Sequence, residues 1–272
     1  LTAAARLAKE GKRVALIEQH NMPGGFATSF VRGRFEFEPS LHELCDLGSE
    51  EKPGAIRALL DDLGVRLEWC PMKDAFRTIL TDDPDLKDYT MPFGTKEFTD
   101  KMEEYVPGSR ESIEKFILLC EDLNRAVNYM TEASGHVDPK VMQKEHANFL
   151  KCAPYSVNEV LDALKMPKAA QKILGSYWCY IGVPLDRLSF FFYAIMVYKY
   201  LIGGAYIPKN RSHAISVALA ERVMAFGGEV WCNTRAEKIL MRGGKPWAVQ
   251  TSRGLLETEH VICCCSPHAV FG

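Results

Sequence analysis

The stretch RVALIEQHNMPGGFATSF, residues 13–30, places an acid, Glu18, directly after the apolar run Val14–Ile17, with Pro23-Gly24-Gly25 shortly beyond it. Apolar residues without alternation suit a parallel strand covered on both faces. A carboxylate at the C-terminal end of such a strand can accept hydrogen bonds from ribose hydroxyls. That pattern usually follows a glycine-rich turn about 20 residues upstream. The sequence reaches Leu1 before any such turn. Glu18 therefore reads either as half of a nucleotide site or as a solvated charge at a strand end.

The elements that must position Glu18 can be read outward from it. LTAAARLAKEGKR has the pattern of a helix, with Leu1, Ala4, Ala5 and Ala8 on one face and Gly11 as its stop. That helix has no N-terminal cap, and the closing SPHAVFG has no evident ending, so the sequence reads as a chain cut at both ends. In that reading a first strand and its glycine turn would precede Leu1. The strand at residues 14–17 would then show a gap or a substitute pairing on one side, and the chain alone would hold its nucleotide poorly.

Further along, Phe35 and Phe37 alternate with charged residues, as in a half-exposed strand. PGAIRALLDDLG reads as a short helix, VRLEW and FRTIL as strands, and TDDPDLKDYTMPFG as a polar connection. Apolar residues recur with helical period from Ser109 to about Met130. Ser156 with Glu159 forms the pattern of a capping box. The most apolar stretch, LSFFFYAIMVYKYLIGGAY, is interrupted by Lys199 and ended by Gly203-Gly204. It falls short of about 18 clean apolar residues and reads as a buried or pocket-lining helix rather than a membrane span. A second helix–turn–strand closes at Glu229–Cys232, and WAVQTSRGLLETEHVICCCS reads as a hairpin feeding a buried strand.

The bulk numbers narrow the function. The chain has 272 residues, 47% of them hydrophobic, a formal net charge of −2 and a pI near 6.4. This suits one large or two ordinary domains, and no basic balance recommends nucleic acid as a partner. Nine cysteines, odd in number and without a CxxC pair, indicate neither a zinc site nor a dithiol motif. They read as small buried hydrophobes in a reducing compartment. No metal site is expected.

The segment LTAAARLAKEGKRVALIEQHNMPGGFATSF resembles the N-terminal flavin-binding segment of the phytoene desaturase, carotenoid isomerase and retinol saturase family. YWCYIGVPLDRLSFFFYAIMVYKYLIGGAYIPKNRSHAISVALAERVMAFGGEVWCNTRAEKIL resembles that family's middle region, and FEPSLHEL fits the retinol saturase-like branch. The resemblance implies an α/β fold: a Rossmann-like FAD/NAD(P)-binding domain of the glutathione-reductase type, incomplete at both ends, with an inserted, mostly helical substrate domain. Residues 1–81 would form the first part of the FAD-binding domain, 82–206 the helical substrate domain, and 207–272 the return to the FAD-binding domain.

The resemblance further implies FAD as cofactor. Glu18 would hold the ribose. Gly24 and Gly25, with Phe26 and Ala27 after them, would bring bare backbone close to the cofactor, unless the glycines only make a turn. Ala236 would pair with the adenine edge through its backbone, unless it is a plain strand residue. Phe26 replaces a common arginine, Ser40 a usual glycine, and Asn210-Arg211 a glycine pair after YIPK.

In this reading the substrate is an apolar polyene, carotenoid- or retinoid-like, which is desaturated, isomerised or saturated. Phe190, Phe191, Phe192, Tyr193, Met196 and Tyr200 are candidates for its tunnel, or else ordinary core. His42 would act as proton donor if a double bond is saturated, since hydride addition at one carbon requires protonation at the other. A structural histidine is its alternative reading, and His213 and His268 are weaker candidates. A flavin amine oxidase-type enzyme and a non-catalytic scaffold of the same fold compete with this function. Delivery of polyenes from bilayers leaves room for peripheral membrane contact, with a cytoplasmic or membrane-peripheral location. The oligomeric state is left open.

Overall fold

A computed structural model describes residues 1–39, 41–81 and 87–271. In chain order its elements begin with helix α1 (Thr2–Lys9), strands β1 (Ala15–Ile17), β2 (Phe30–Arg32) and β3 (Phe35–Phe37), and helix α2 (Ala55–Asp62). Strands β4 (Trp69–Pro71), β5 (Phe76–Ile79) and β6 (Asp88–Met91) follow. The helices α3 (Thr95–Tyr105), α4 (Arg110–Glu132), α5 (Pro139–Glu145), α6 (Ala147–Cys152), α7 (Val157–Ala163) and α8 (Lys168–Leu174) come next, then a 3₁₀ turn over Gly175–Tyr180. The chain continues through α9 (Phe190–Gly203), β7 (Tyr206–Pro208), α10 (His213–Ala225), β8 (Glu229–Trp231), β9 (Ala236–Arg242), β10 (Lys245–Thr251), β11 (Gly254–Glu257) and α11 (His268–Phe271). Two compact units result. One holds Leu1–His42, Ala58–Trp69 and Ile207–Gly272, and the other Glu43–Arg57 and Cys70–Tyr206.

In the first unit, β1 and β8 form a parallel pair, in the register Ala15–Glu229, Leu16–Val230 and Ile17–Trp231. No other ladder partner of β1 occurs among the described residues. The apolar run does not become a strand covered on both faces: Ala15 is exposed and Leu16 and Ile17 are half-buried. A strand with one ladder neighbour among the described residues is not enclosed as the inner strand of a sheet is. Helix α1 buries Ala5 and Ala8 and packs on α10, which also lies against β8. Small residues on this face permit close approach. Arg6 and Lys9, in the last turn of α1, pair with Asp62 at 2.6 and 2.8 Å.

Strands β9, β10 and β11 make an antiparallel sheet with β10 in the centre. The expected hairpin is present, but the buried strand after it is not: residues 261–265 pair with no strand among the described residues, and Cys263, Cys264 and Cys265 are exposed. Cys179 is exposed as well, and among the cysteines only Cys120 is buried, so small buried hydrophobe describes one of the nine. A run of apolar residues becomes a buried strand only where a sheet is present to receive it.

The second unit is mostly helical. Its core runs along α4 and α9. Ile113, Phe116, Ile117, Cys120 and Leu123 lie on the buried face of α4, the 3.6-residue spacing that the sequence shows. Phe116 meets the rings of Phe190 and Tyr193 on α9 at centroid distances of 6.0 and 6.4 Å. Each such side chain, removed from water, contributes about 1.5–3 kcal/mol. Helix α9 has 14 residues, and no described helix is long and apolar enough to cross a membrane.

Strands β5 and β6 form an antiparallel hairpin. Residues 88–91 of the expected polar connection are therefore strand, while its portion at 82–86 lies outside the described residues. The strand expected at VRLEW falls later, at Trp69–Pro71, where the chain pairs with β7.

Helix α7 begins as the sequence indicates. Ser156 Oγ accepts from the Glu159 N–H at 3.4 Å, and Glu159 Oε2 accepts from the Ser156 N–H at 2.8 Å. Two N–H groups at the helix start are thereby satisfied. Ser156→Ala is expected to lower stability by about 1 kcal/mol. Urea unfolding checks this: the midpoint should fall while the slope stays constant.

Candidate functional site

The candidate site of the first unit is built where β1 ends. The Glu18 N–H donates to the Trp231 carbonyl at 2.9 Å, continuing the β1–β8 ladder by one residue. Two further bonds tie the following turns together. The Thr234 N–H donates to the Glu18 carbonyl and the Asn233 N–H to the His20 carbonyl, both at 2.9 Å. Asn233 takes a left-handed φ of 50°, which turns the chain from β8 toward Ala236. Ala236 is exposed and opens β9 opposite Thr251. The end of β1 that carries Glu18 and the segment that leads to Ala236 are thus joined by backbone hydrogen bonds. The Glu18 carboxylate is half-buried and accepts from the His20 N–H at 2.8 Å, which closes the turn after the strand.

The two glycines after Pro23 differ in what holds them. Gly24 has φ +119°, and a Cβ there would lie 2.3 Å from Ser216 Oγ on α10. Ser216 Oγ also donates to the Ala27 carbonyl at 2.7 Å. The need for glycine at position 24 is therefore met by packing on α10. Gly25 has φ +60°, and a Cβ there would meet nothing within 4 Å. Its backbone faces open space, and Phe26 beside it is 83% exposed.

The start of α10 is held by two acids from the β3 segment. Glu38 accepts from the Ser212 N–H at 3.1 Å and from the Ser212 hydroxyl, replacing the missing side-chain cap. Arg211 pairs with Glu36 at 2.6 Å. Arg211 also sits at φ +65°, a conformation that glycine takes without strain. The replacement of a glycine pair by Asn210-Arg211 thus leaves the turn in place and puts a cation on it. His213 Nε2, two residues on, is buried with no hydrogen-bond partner among the described residues. His42 is exposed, His268 opens α11 and is exposed, and Ser40 lies outside the described residues.

In the helical unit, Phe190 and Tyr193 are fully buried in the α4–α9 core and Tyr200 is 6% exposed. Phe191 and Met196 are half-buried, and Phe192 faces solvent. Cys45 does not provide a nucleophile: burial first, and the Asp46 charge second, push its thiol up to about 11. No group of three or more metal-ligating side chains occurs among the described residues. Glu43, 8% exposed and bonded to Tyr180, is absent from the sequence-derived candidates. The available signal was an acid between His42 and Leu44 in LHEL.

The parallel β1–β8 pair, the antiparallel sheet beyond it and the helical unit together form an α/β fold of the type found in flavin-dependent oxidoreductases. An oxidoreductase from Methanosarcina mazei superposes with a TM-score of 0.62 at 16% identity, over 95% of this chain and 54% of that one. The chain belongs to the flavin containing amine oxidoreductase family, whose model matches residues 1–270. Human all-trans-retinol 13,14-reductase is 27% identical over 273 residues, covering 97% of this chain and 44% of that protein. Phytoene dehydrogenase from Streptomyces griseus is 24% identical over 275 residues, 97% of this chain and 50% of that protein. The chain therefore spans about half the length, or less, of these relatives.

Proposed function

We propose that this chain forms part of an FAD-dependent oxidoreductase that desaturates, isomerises or saturates a carotenoid- or retinoid-like polyene. In this reading its first unit is the Rossmann-like, glutathione-reductase-type FAD domain, and its helical unit is the substrate domain. The likeness to relatives named for retinol and phytoene, extending over 97% of the chain, carries the substrate class.

The residues present fit the cofactor. Gly25 offers bare backbone toward open space, and Glu18 stands at the C-terminal end of a parallel strand. When bound, FAD supplies acceptance or donation of a hydride. Glu18 then accepts from the ribose hydroxyls, residues 24–27 bring their backbone near the cofactor, and the Ala236 backbone meets the adenine edge. His42, exposed in this chain, holds the proton that saturation of a double bond requires.

The family description favours a second reading, oxidation of amines. Flavin absorbance of the complete reading frame separates the two. A polyene should reoxidise the reduced flavin or reduce the oxidised one. Bleaching by amines, with polyenes inert, would overturn the polyene reading.

Glu18 is tested by titration of the flavin. Hydrogen bonds to a charged acceptor contribute about 1.5–3 kcal/mol, so Glu18→Ala is expected to weaken FAD about 10- to 150-fold. Glu18→Gln keeps an oxygen for the His20 N–H and separates loss of the ribose contact from loss of the turn. Equilibrium dialysis with unchanged FAD affinity in both variants would remove Glu18 from the site.

A further inference from the structure

The β2–β3 hairpin of the first unit carries an apolar face that the function proposed above leaves unused. Its strands pair only with each other among the described residues, in the register Phe30–Phe37, Val31–Glu36 and Arg32–Phe35. Side chains alternate along a strand and stand opposite their cross-strand partners. Phe30, Arg32, Phe35 and Phe37 therefore share one face, and Val31 and Glu36 share the other. The second face is the anchored one. Glu36 pairs with Arg211 at 2.6 Å, and Glu38, in the same alternation, holds Ser212 at the start of α10. The first face stays open: Phe30, Phe35 and Phe37 are 37%, 59% and 44% exposed.

An isolated two-stranded hairpin is marginal in water, and a cluster of rings on its outer face keeps apolar area wet. The charges on that face have one sign. The Phe30 and Phe37 rings stack at a centroid distance of 5.0 Å, and the Arg32 guanidinium lies over Phe30 at 5.0 Å. The Arg34 guanidinium, from the turn, lies over Phe35 at 5.1 Å. Neither arginine pairs with a carboxylate among the described residues, whereas Glu36, the one acid of residues 30–37, is neutralised by Arg211. A guanidinium stacked on a ring covers one side of it and keeps its N–H groups free at the edge for an oxyanion.

We propose that this face docks on an anionic bilayer surface, with the three rings at the acyl boundary and Arg32 and Arg34 among the head groups. A membrane interface offers both layers that the face needs, negative charge outside and apolar depth beneath it. An acidic protein answers the two cations and leaves the rings to find a separate apolar patch. The docking face is defined by the hairpin alone and is independent of what the flavin oxidises.

The experiment uses the complete reading frame and two vesicle preparations, one of phosphatidylcholine and one of phosphatidylcholine with phosphatidylserine. Co-flotation measures binding. The unaltered protein should prefer the anionic vesicles, and should lose that preference at about 1 M salt, where charges are screened beyond about 3 Å. Each arginine near such a surface contributes about fivefold, so Arg32→Ser with Arg34→Ser should weaken binding to anionic vesicles about 25-fold. Phe35→Ser should weaken binding to both preparations, by about 10-fold. These side chains are exposed, so the melting temperatures should match that of the unaltered protein. Phe35→Trp gives a reading that needs no loss of binding: brominated lipid should quench its emission beyond the quenching seen in the unaltered protein.

Equal binding to the two preparations, or binding to neither, would overturn the proposal. So would anionic vesicles held as tightly by the serine variants as by the unaltered protein, since another surface would then be responsible. A tryptophan at position 35 that brominated lipid does not reach overturns it as well. If polyglutamate is held through Arg32 and Arg34 while vesicles are not, the face belongs to an acidic protein and the bilayer assignment falls.

Discussion

Gly25→Val should abolish flavin binding in the complete reading frame, with far-ultraviolet dichroism nearly unchanged. Two effects act together at this position. The backbone holds φ +60°, which a β-branched side chain adopts only with strain. The side chain would also project into the space next to the backbone that the cofactor is proposed to approach. In this chain a Cβ at position 25 meets nothing within 4 Å, so the protein itself has no neighbour to be displaced. Gly25→Ala divides the two effects: it brings strain of about 1 kcal/mol with little bulk. A loss of more than about 100-fold in FAD affinity for valine, against a few-fold for alanine, would indicate a close cofactor contact. Stoichiometric flavin retained by the valine variant would reduce the glycine pair to a turn.

The largest effect on stability is expected from Phe116→Ala. Phe116 is fully buried on α4 and touches the rings of Phe190 and Tyr193. Truncation removes apolar area and leaves a cavity that the two aromatic neighbours cannot readily collapse around. The cost of such changes is about 3–5 kcal/mol. This compares with a total stability of about 5–15 kcal/mol for an ordinary domain. Denaturant melts should therefore show the variant's helical unit unfolding early, or failing to accumulate as folded protein. A shift under about 1 kcal/mol would mean that α4 and α9 are less tightly joined than the ring distances indicate.

These two sites differ in how far the sequence disclosed them. The helical period of α4 and the Ser156–Glu159 box are local, and both stand in the structure where the residues placed them. The glycine pair was legible in the sequence, and the difference between its members was not, because Gly24 is fixed by Ser216 on α10 while Gly25 faces open space. The strand read at VRLEW and the buried strand read at VICCC failed for one reason. A short apolar run carries no information about its ladder partner, and β4 lies where β7 meets it. Glu43 was missed because its partners Tyr180 and Tyr200 are distant in sequence and belong to a 3₁₀ turn and a helix. No periodicity joins such residues. The Arg211 turn was noticed as a departure from glycine, and its meaning, a left-handed cation paired with Glu36, needed coordinates.

The parallel pairing of Ala15 with Glu229 also fixes an order of events during synthesis. A ribosome releases β1 early and β8 late, with the whole helical unit translated in between. The helical unit's main segment, Cys70–Tyr206, is contiguous and can condense as it emerges, whereas the β1–β8 ladder waits for residues 229–231. Through that interval the edge of β1 that β8 will cover stays open, the kind of segment that recruits a neighbouring chain. Joining residues 15–17 to residues 229–231 is a contact of long sequence separation, the kind that forms slowly and leaves its strands exposed to quality control meanwhile.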